Sequence, residues 1–402
     1  MMNRRSSLSA FLFFVLSAPG LVQTFSADGV RLRSIGEDPA SGLARAVVVD
    51  EGALVHTALM LPEDAQGRLQ GDADIEAQAR RVLANIDLAL KPARTSLANL
   101  VRLHVYVADA SGTPQIDRLL RQRFRGSTRP AATFVETAMP RPGILVMMDA
   151  IAATGWRTDP GKPMRITTSA LRRRTNRASH AAIQPEGPFV VVSGRSATGE
   201  FEAAVRGTME ALRADLKAVD LTFDHVVQIK SFLADMGRAQ QLEGVVSEFF
   251  GDSAVPPQVM TEWHQQSAHV EIELIVVSPP TGGERVEYVE PVSGRFSRAS
   301  RVNSGRTIFT SGLYGTSDNP LEQVREMFTE LRQLVKEAGS DMAHLVKATY
   351  YVADKGADQE INAIRPTLYD PRRPPAASKL TVRGTGRKGK ASTFDMIAVT
   401  LR

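Results

Sequence analysis

Apolar and polar positions alternate along the stretch that ends at Asp109, with Leu103, Val105 and Val107 on one side and His104 and Tyr106 on the other. Alternation of period two predicts a β-strand. The same ending is written three times, as "VYVAD" to Asp109, "SFLAD" to Asp235 and "YYVAD" to Asp354, at separations of 126 and 119 residues. Upstream of each Asp the period lengthens. Val324, Met327, Leu331, Leu334 and Ala338 recur at three- and four-residue steps, which predicts a helix with one buried face that stops at Gly339. "DIEAQARRVLANIDLAL" and "FEAAVRGTMEALRADLKAV" are its counterparts in the other copies. A short β-rich segment precedes each helix ("ALVHTALM", "PFVVVSGRS", "RTIFTSGLYG"), and a second helical stretch leading to a proline follows each Asp. The closing strands are "ILVMMDAIAA", "HVEIELIVVS" and "STFDMIAVT". Strand, helix, strand, helix, strand describes an α+β unit, a mixed sheet with two helices on one face.

Three such units are expected, over residues 40–154, 178–278 and 296–402, joined by Pro-, Gly- and Arg-rich connectors. The repeated strand is too apolar on both faces for either to be left in water. If helices cover one face, neighbouring sheets must cover the other. Three sheets around a common pseudo-threefold axis satisfy that requirement, and separate beads on a string do not.

The first residues, "MMNRRSSLSAFLFFVLSAPG", place Arg4 and Arg5 ahead of an apolar run from Leu8 to Leu16. This is the pattern of a secretory leader. A leader over residues 1–27, cleaved between Ala18 and Ala27, predicts export to a periplasmic or extracellular space. The apolar run is too short to span a bilayer, so no membrane association is expected after cleavage. The chain has 402 residues and no cysteine, which excludes disulfides, cysteine metal sites and thiol nucleophiles. Losing Arg4 and Arg5 takes the formal charge from +5 to +3. The basic clusters Arg172–Arg177 and Arg383–Lys390 lack interleaved aromatics, so they read as solvated linker and loop and no nucleic-acid partner is expected. Gly384–Ser392 comes near a phosphate loop, but Ala391 replaces the hydroxyl and a strand follows instead of a helix. His264 and His269 do not have metal-pair spacing, and no G-x-S-x-G elbow exists. No metal and no cofactor are expected.

Four features in order carry a resemblance: "TSG" at Thr310–Gly312 ("VSG" at Val192–Gly194), the helix, the "YVAD" strand, and "P-A-x-S/T" before an "AIA"-like strand. Together they resemble the Rid family (YjgF/RidA-type reactive-intermediate imine and enamine deaminases), once per unit over about three quarters of the chain. Members of that family are usually homotrimers with a ligand cleft at each subunit interface, so the resemblance implies a trimer written as one chain, a monomeric pseudo-trimer. The family's arginine, which holds the substrate carboxylate, matches Ala132, Gln258 and Ala377. Its water-activating glutamate matches Met147, Glu271 and Thr393, and the "TSG" serine matches Ala58, Ser193 and Ser311. The family's early tyrosine falls at Arg45, His180 and Arg298, three basic residues that could replace the clamp or simply protect strand edges. Unit two keeps the most. Glu271 and Ser193 are the candidate catalytic residues, with Gln258, His180, Gly194, Ser311, Arg298 and Arg45 as ligand-binding candidates.

Two function classes follow. One is a small-molecule-binding pseudo-trimer with deamination lost or much reduced. The other is a Rid-type hydrolase acting on an uncharged imine or enamine at one cleft built from Ser193, Gln258 and Glu271. Endoribonuclease activity, known among family relatives, stands third.

Overall fold

The computed structural model describes residues 23–27, 29–125, 129–264 and 268–402. The leader expected at the N-terminus lies outside the described residues through residue 22, while Gln23–Ala27 pairs antiparallel with Val30–Ile35.

The first unit contains strands Val30–Ile35, Ala46–Glu51, Ala53–Thr57, Leu100–Val107, Ala131–Glu136 and Val146–Thr154, with helices α1 (Ile75–Leu90) and α2 (Thr113–Arg123). The second has Met164–Ile166, Ala181–Gln184, Phe189–Arg195, Val226–Leu233, Gln258–Glu262 and Val270–Val277, with α3 (Phe201–Ala218) and α4 (Ala239–Glu248). The third has Val286–Val292, Phe296–Val302, Thr307–Thr310, Leu345–Val352, Ala376–Thr381 and Ser392–Val399, with α5 (Pro320–Glu337) and α6 (Lys355–Leu368). Each unit thus carries more strands than its alternation predicts. The additional strand after the second helix, at the Pro-Ala motif, runs parallel to the middle strand, while the closing strand runs antiparallel to it, so every sheet is mixed.

The repeated Asp is a helix-capping residue. Asp109 accepts from Ser111 N at 2.7 Å, Asp235 from Gly237 N at 2.8 Å and Asp354 from Ala357 N at 2.9 Å, satisfying amides that have no partner in the first turn. Asp74 and Asn319 cap α1 and α5 in the same way.

Strand pairing joins the units in a ring, and because it crosses the unit boundaries the strands form a 13-stranded and a 6-stranded sheet where three separate sheets were expected. Ala53–Thr57 of the first pairs with Ala181–Gln184 of the second, Phe189–Arg195 of the second with Phe296–Val302 of the third, and Thr307–Thr310 of the third with Ala46–Glu51 of the first. Helices cover one face of each sheet, where Val82, Met209 and Met327 and their neighbours form three apolar cores. The other faces meet one another, and all eight positions of each middle strand are buried.

The chemistry of that meeting place departs from the apolar expectation. A bulge at the same point of each middle strand, between Leu100 and Arg102, Val226 and Gln228, and Leu345 and Lys347, accompanies Arg102, Gln228 and Lys347 among the buried residues. Gln228 donates to Thr57 O at 2.8 Å, while the two cations meet carboxylates at one equivalent position of the closing strands, where Asp149, Glu273 and Asp395 stand. Arg102 pairs with Asp395, and His104 lies 3.0 Å from Asp149 through Nδ1 and 3.2 Å from Asp395 through Nε2. Tyr106 donates to Asp149 at 2.8 Å, Lys347 pairs with Glu273, and Lys230 donates to the Tyr351 hydroxyl at 2.7 Å. Burial opposes ionisation of Asp149 and Asp395, but His104 and Lys230, with Arg102 for Asp395, overcome it and hold both below the usual carboxylate range. Burial and the charge of Lys347 pull Lys230 down to about 8.

The basic clusters are solvated only in part: Arg172, Arg173, Arg383 and Lys388 are exposed, but several members have acidic partners. Arg174 pairs with Glu243 and Arg383 with Glu262, while Arg387 reaches from the third unit to Asp117 of the first. The short-range pattern hid these long-range acidic partners.

Candidate functional site

Each cleft is assembled from two units. The register Thr57↔Ala181, Val192↔Ala299 and Thr310↔Ala46 sets residues 58, 193 and 311 of one unit beside residues 180, 298 and 45 of the next. His180, Arg298 and Arg45 therefore occupy one equivalent position around the ring. The Pro-Ala motif arrives from the same neighbouring unit: Leu59 N donates to Gln258 O at 2.9 Å, Ala377 N to Ser193 Oγ at 2.8 Å and Gly312 N to Ala132 O at 3.0 Å.

This geometry separates residues that were expected together. Gln258 lies in the cleft between units one and two, whereas Ser193, Gly194 and Glu271 lie in the cleft between units two and three, opposite Ala377 and Ser378. The reason is sheet order. Within unit two, Gln258–Glu262 and Phe189–Arg195 are separated by both intervening strands, so one unit's motif strand and its turn face different neighbours.

In the cleft between units two and three, Glu271 is a half-buried acid. Its Oε1 is shielded from solvent and has no hydrogen-bond partner. Burial pushes the carboxyl up to about 8, with the Glu273 charge adding to the effect and the Ser378 hydroxyl opposing it. Gly194 makes room for it, since a Cβ there would stand 2.1 Å from Glu271 Oε1. The Ser193 hydroxyl donates to Ser297 O at 2.6 Å while accepting from Ala377 N. Its proton is held by a backbone carbonyl, so Ser193, the expected catalytic hydroxyl, here ties the two units together. Arg298 extends over the Phe296 ring with its guanidinium carbon 5.8 Å from the centroid. A carboxyl that keeps its proton to about pH 8 can donate it to a substrate nitrogen near neutrality, and once ionised can take one from water.

The other clefts have different contents. Between units one and two, Leu59 occupies the glycine position and Met147 the acid position, and both pack into an apolar cluster with Tyr106 and Val135. His180 there is 5% exposed, with Nδ1 facing Thr168 N at 3.1 Å and Nε2 facing Arg172 O at 3.2 Å. Burial lowers its pKa, so it anchors the connector as a neutral ring where an added charge was considered. Between units three and one, Arg45 pairs with Glu330 on α5 and lines an open groove of about 700 Å³ with Ser311 and Tyr314. Thr393 donates to Leu313 O at 2.8 Å.

Sequence reasoning missed Asn85 and Tyr314. Asn85 is a polar residue on the buried face of α1 between Val82 and Ile86, and that interruption of an apolar stripe was its signal. Tyr314, whose hydroxyl donates to Phe134 O at 3.2 Å across the unit boundary, left no such mark. Among the described residues, no group of three or more His, Cys, Asp or Glu is placed to hold a metal ion.

Comparison with known proteins agrees with the repeat. The family model described as Endoribonuclease L-PSP matches residues 38–154, 171–278 and 288–391. Protein DfrA of Myxococcus xanthus is 28% identical over 111 residues, covering 28% of this chain and 84% of that protein. A RutC family protein of Pyrococcus abyssi is 30% identical over 101 residues, covering 25% and 79%. Among solved structures, a Rid family protein of unknown function from Yersinia pestis is 27% identical, with a TM-score of 0.29 and coverage of 31% of this chain and 98% of that one. The Escherichia coli YjgF gene product is 26% identical, with a TM-score of 0.24 and coverage of 27% and 86%. Three successive matches across most of its length show that the chain belongs to the Rid (YjgF/RutC) family, as a tandem of three Rid-like domains.

Proposed function

We propose that the protein is an exported, small-molecule-binding pseudo-trimer in which the family's deamination of carboxylate-bearing imines and enamines is lost. The observation that carries this reading is the content of the clamp position. The motif backbone still seats on the neighbouring unit, yet Ala132, Gln258 and Ala377 offer no cation to a carboxylate. Two charge-assisted hydrogen bonds, each about 1.5–3 kcal/mol, correspond to a loss of capture on the order of a thousandfold or more. The direct test is imine hydrolysis with a 2-imino acid, on wild type and on Ala377→Arg, which puts an arginine into the cleft that has Glu271 at the closing-strand acid position. Wild type is expected to be inactive and Ala377→Arg to gain turnover that Glu271→Gln removes. Wild-type turnover comparable with an arginine-bearing relative refutes the proposal.

A second reading rests on Glu271. An acid that titrates near 8 in a cleft without a cationic clamp suits protonation and hydrolysis of an uncharged imine. Nucleic-acid cleavage has less support, because Arg174, Arg383 and Arg387 are taken up by internal carboxylates. For export, the pairing of Gln23–Ala27 with Val30–Ile35 favours cleavage before Gln23, which the N-terminal sequence of secreted protein would reveal.

A further inference from the structure

The cleft between units one and two holds a cavity of about 60 Å³. Four buried polar atoms without partners belong to residues that line it: Asn85 Oδ1, Ser179 Oγ, Gln258 Oε1 and Arg174 Nη2. Native interiors leave only a few such atoms per hundred residues, and four gathered on the residues that line one space point to an occupant. The Asn85 orientation is set independently, because its Nδ2 donates to Leu61 O at 2.8 Å and Glu63 O at 2.9 Å, which leaves the amide oxygen as an acceptor toward the cavity. Gln258, 8% exposed, presents a second amide, and Ser179 a hydroxyl able to donate or accept.

Charge on the walls is balanced. Three arginines and three acids line the cavity: Arg174 pairs with Glu243, Arg172 with Glu63 and Asp64 with Arg68, while Arg173 donates to Ala178 O, so the walls carry no net formal charge. Leu59, Met60 and Leu171 supply apolar surface, and Leu171 belongs to the connector that His180 anchors. The space accommodates roughly four to six solvent-sized groups.

We propose that this cleft binds a small neutral molecule bearing a primary carboxamide or ureido group. Its NH2 donates to Asn85 Oδ1 and Gln258 Oε1, its carbonyl accepts from Ser179 or Arg174, and a short alkyl tail lies on Leu59 and Met60. The inference rests on the reading of the clefts as small-molecule sites and names the ligand class of one of them.

The experiment uses ligand-observed NMR and thermal shift on the full mature chain, with propionamide and N-ethylurea as probes and propionate and propylamine as charged counterparts. The carboxamide and urea are expected to bind in the millimolar range and raise Tm, and the charged pair is expected to do neither. Gln258→Met is expected to weaken the neutral probes about tenfold or more while raising the Tm of the free protein, since an unpaired buried carbonyl is removed. Ser179→Ala provides a second, smaller truncation with the same expected direction of binding. Equal binding of propionate and propionamide, or full binding by both variants, overturns the proposal. A raised Tm in Gln258→Met with no probe binding to wild type also overturns it and assigns the four atoms to bound water only. If uncharged fragments without an amide protect the cleft instead, the ligand class falls and the small-molecule reading stands; if no fragment binds any cleft, both fall.

Discussion

Replacing Glu271 by Gln should make the protein more stable, and the gain should grow with pH. In the unfolded chain a glutamic acid ionises near 4.3, whereas burial holds Glu271 protonated to about 8 in the folded protein. Between those values the folded chain keeps a proton that the unfolded chain has released, so stability falls as pH rises, opposite to the usual behaviour of a paired carboxylate. At about 1.36 kcal/mol per pKa unit, the loss between pH 5 and pH 8 amounts to about 3 kcal/mol. Glutamine preserves the shape and carries no titrating proton. Urea unfolding of wild type and Glu271→Gln at half-unit steps from pH 5 to 8 measures the difference directly. His56, lowered to about 4 mainly by burial, adds stability as pH rises toward its unfolded value, but it is common to both proteins and cancels. Lys230 contributes slope only above about 8, because its folded value lies there and its unfolded value lies higher. Parallel pH profiles for the two proteins would show that Glu271 is an ordinary solvated acid and remove the basis for assigning it chemistry.

Gly194→Ala should drive the Glu271 carboxyl out toward solvent, so its pH 5–8 slope should approach that of Glu271→Gln whatever its absolute stability; a retained wild-type slope counts against the close packing of the two. Asp395→Asn leaves Arg102, only 2% exposed, without its carboxylate, and should cost about 3–5 kcal/mol in chemical denaturation. Adding Arg102→Met to that variant should recover part of the loss, and full additivity of the two substitutions would mean that they do not interact.

The architecture was legible because the repeat fixes it. Helix periods such as Val324, Met327, Leu331 and the thrice-written strand ending determine the unit, and strands that are buried on both faces require the units to meet. The strands at Ala131–Glu136, Gln258–Glu262 and Ala376–Thr381 were not legible, since each is short, begins at a proline motif and finds its partner far along the chain. Site composition was harder still. Position-by-position matching placed Ala132, Gln258 and Ala377 at one equivalent position and Glu271 in the closing strand, but it assigned Gln258 and Glu271 to one cleft. Each cleft forms where a strand of one unit pairs with a strand of the next, so cleft membership follows inter-unit register, which no local pattern encodes. The buried charge network escaped for a related reason: Arg102 and Asp395 are separated by 293 residues and by two unit boundaries.

Fusing three units into one chain changes what the axis can contain. In a symmetric trimer every axial residue appears three times, so a lysine there would bring two more lysines with it. Here the carboxylates keep threefold character, as Asp149, Glu273 and Asp395, while the cations facing them are Arg102, Lys347 and Lys230, drawn from two different strand positions. Positions equivalent to these cations hold Gln228, Thr349 and His104, so no lysine or arginine position is filled three times. His104 then bridges Asp149 and Asp395, a role with no counterpart on the Glu273 side, where Ser378 donates at 2.7 Å instead. The same freedom extends outward to the clefts. One cleft carries Glu271 with a glycine that admits it, another has that corner filled by Leu59 and Met147, and the third has Thr393 in place of the acid. A homotrimer must change all its clefts when it changes one; this chain can hold a shared ring of strands fixed and give each cleft its own chemistry.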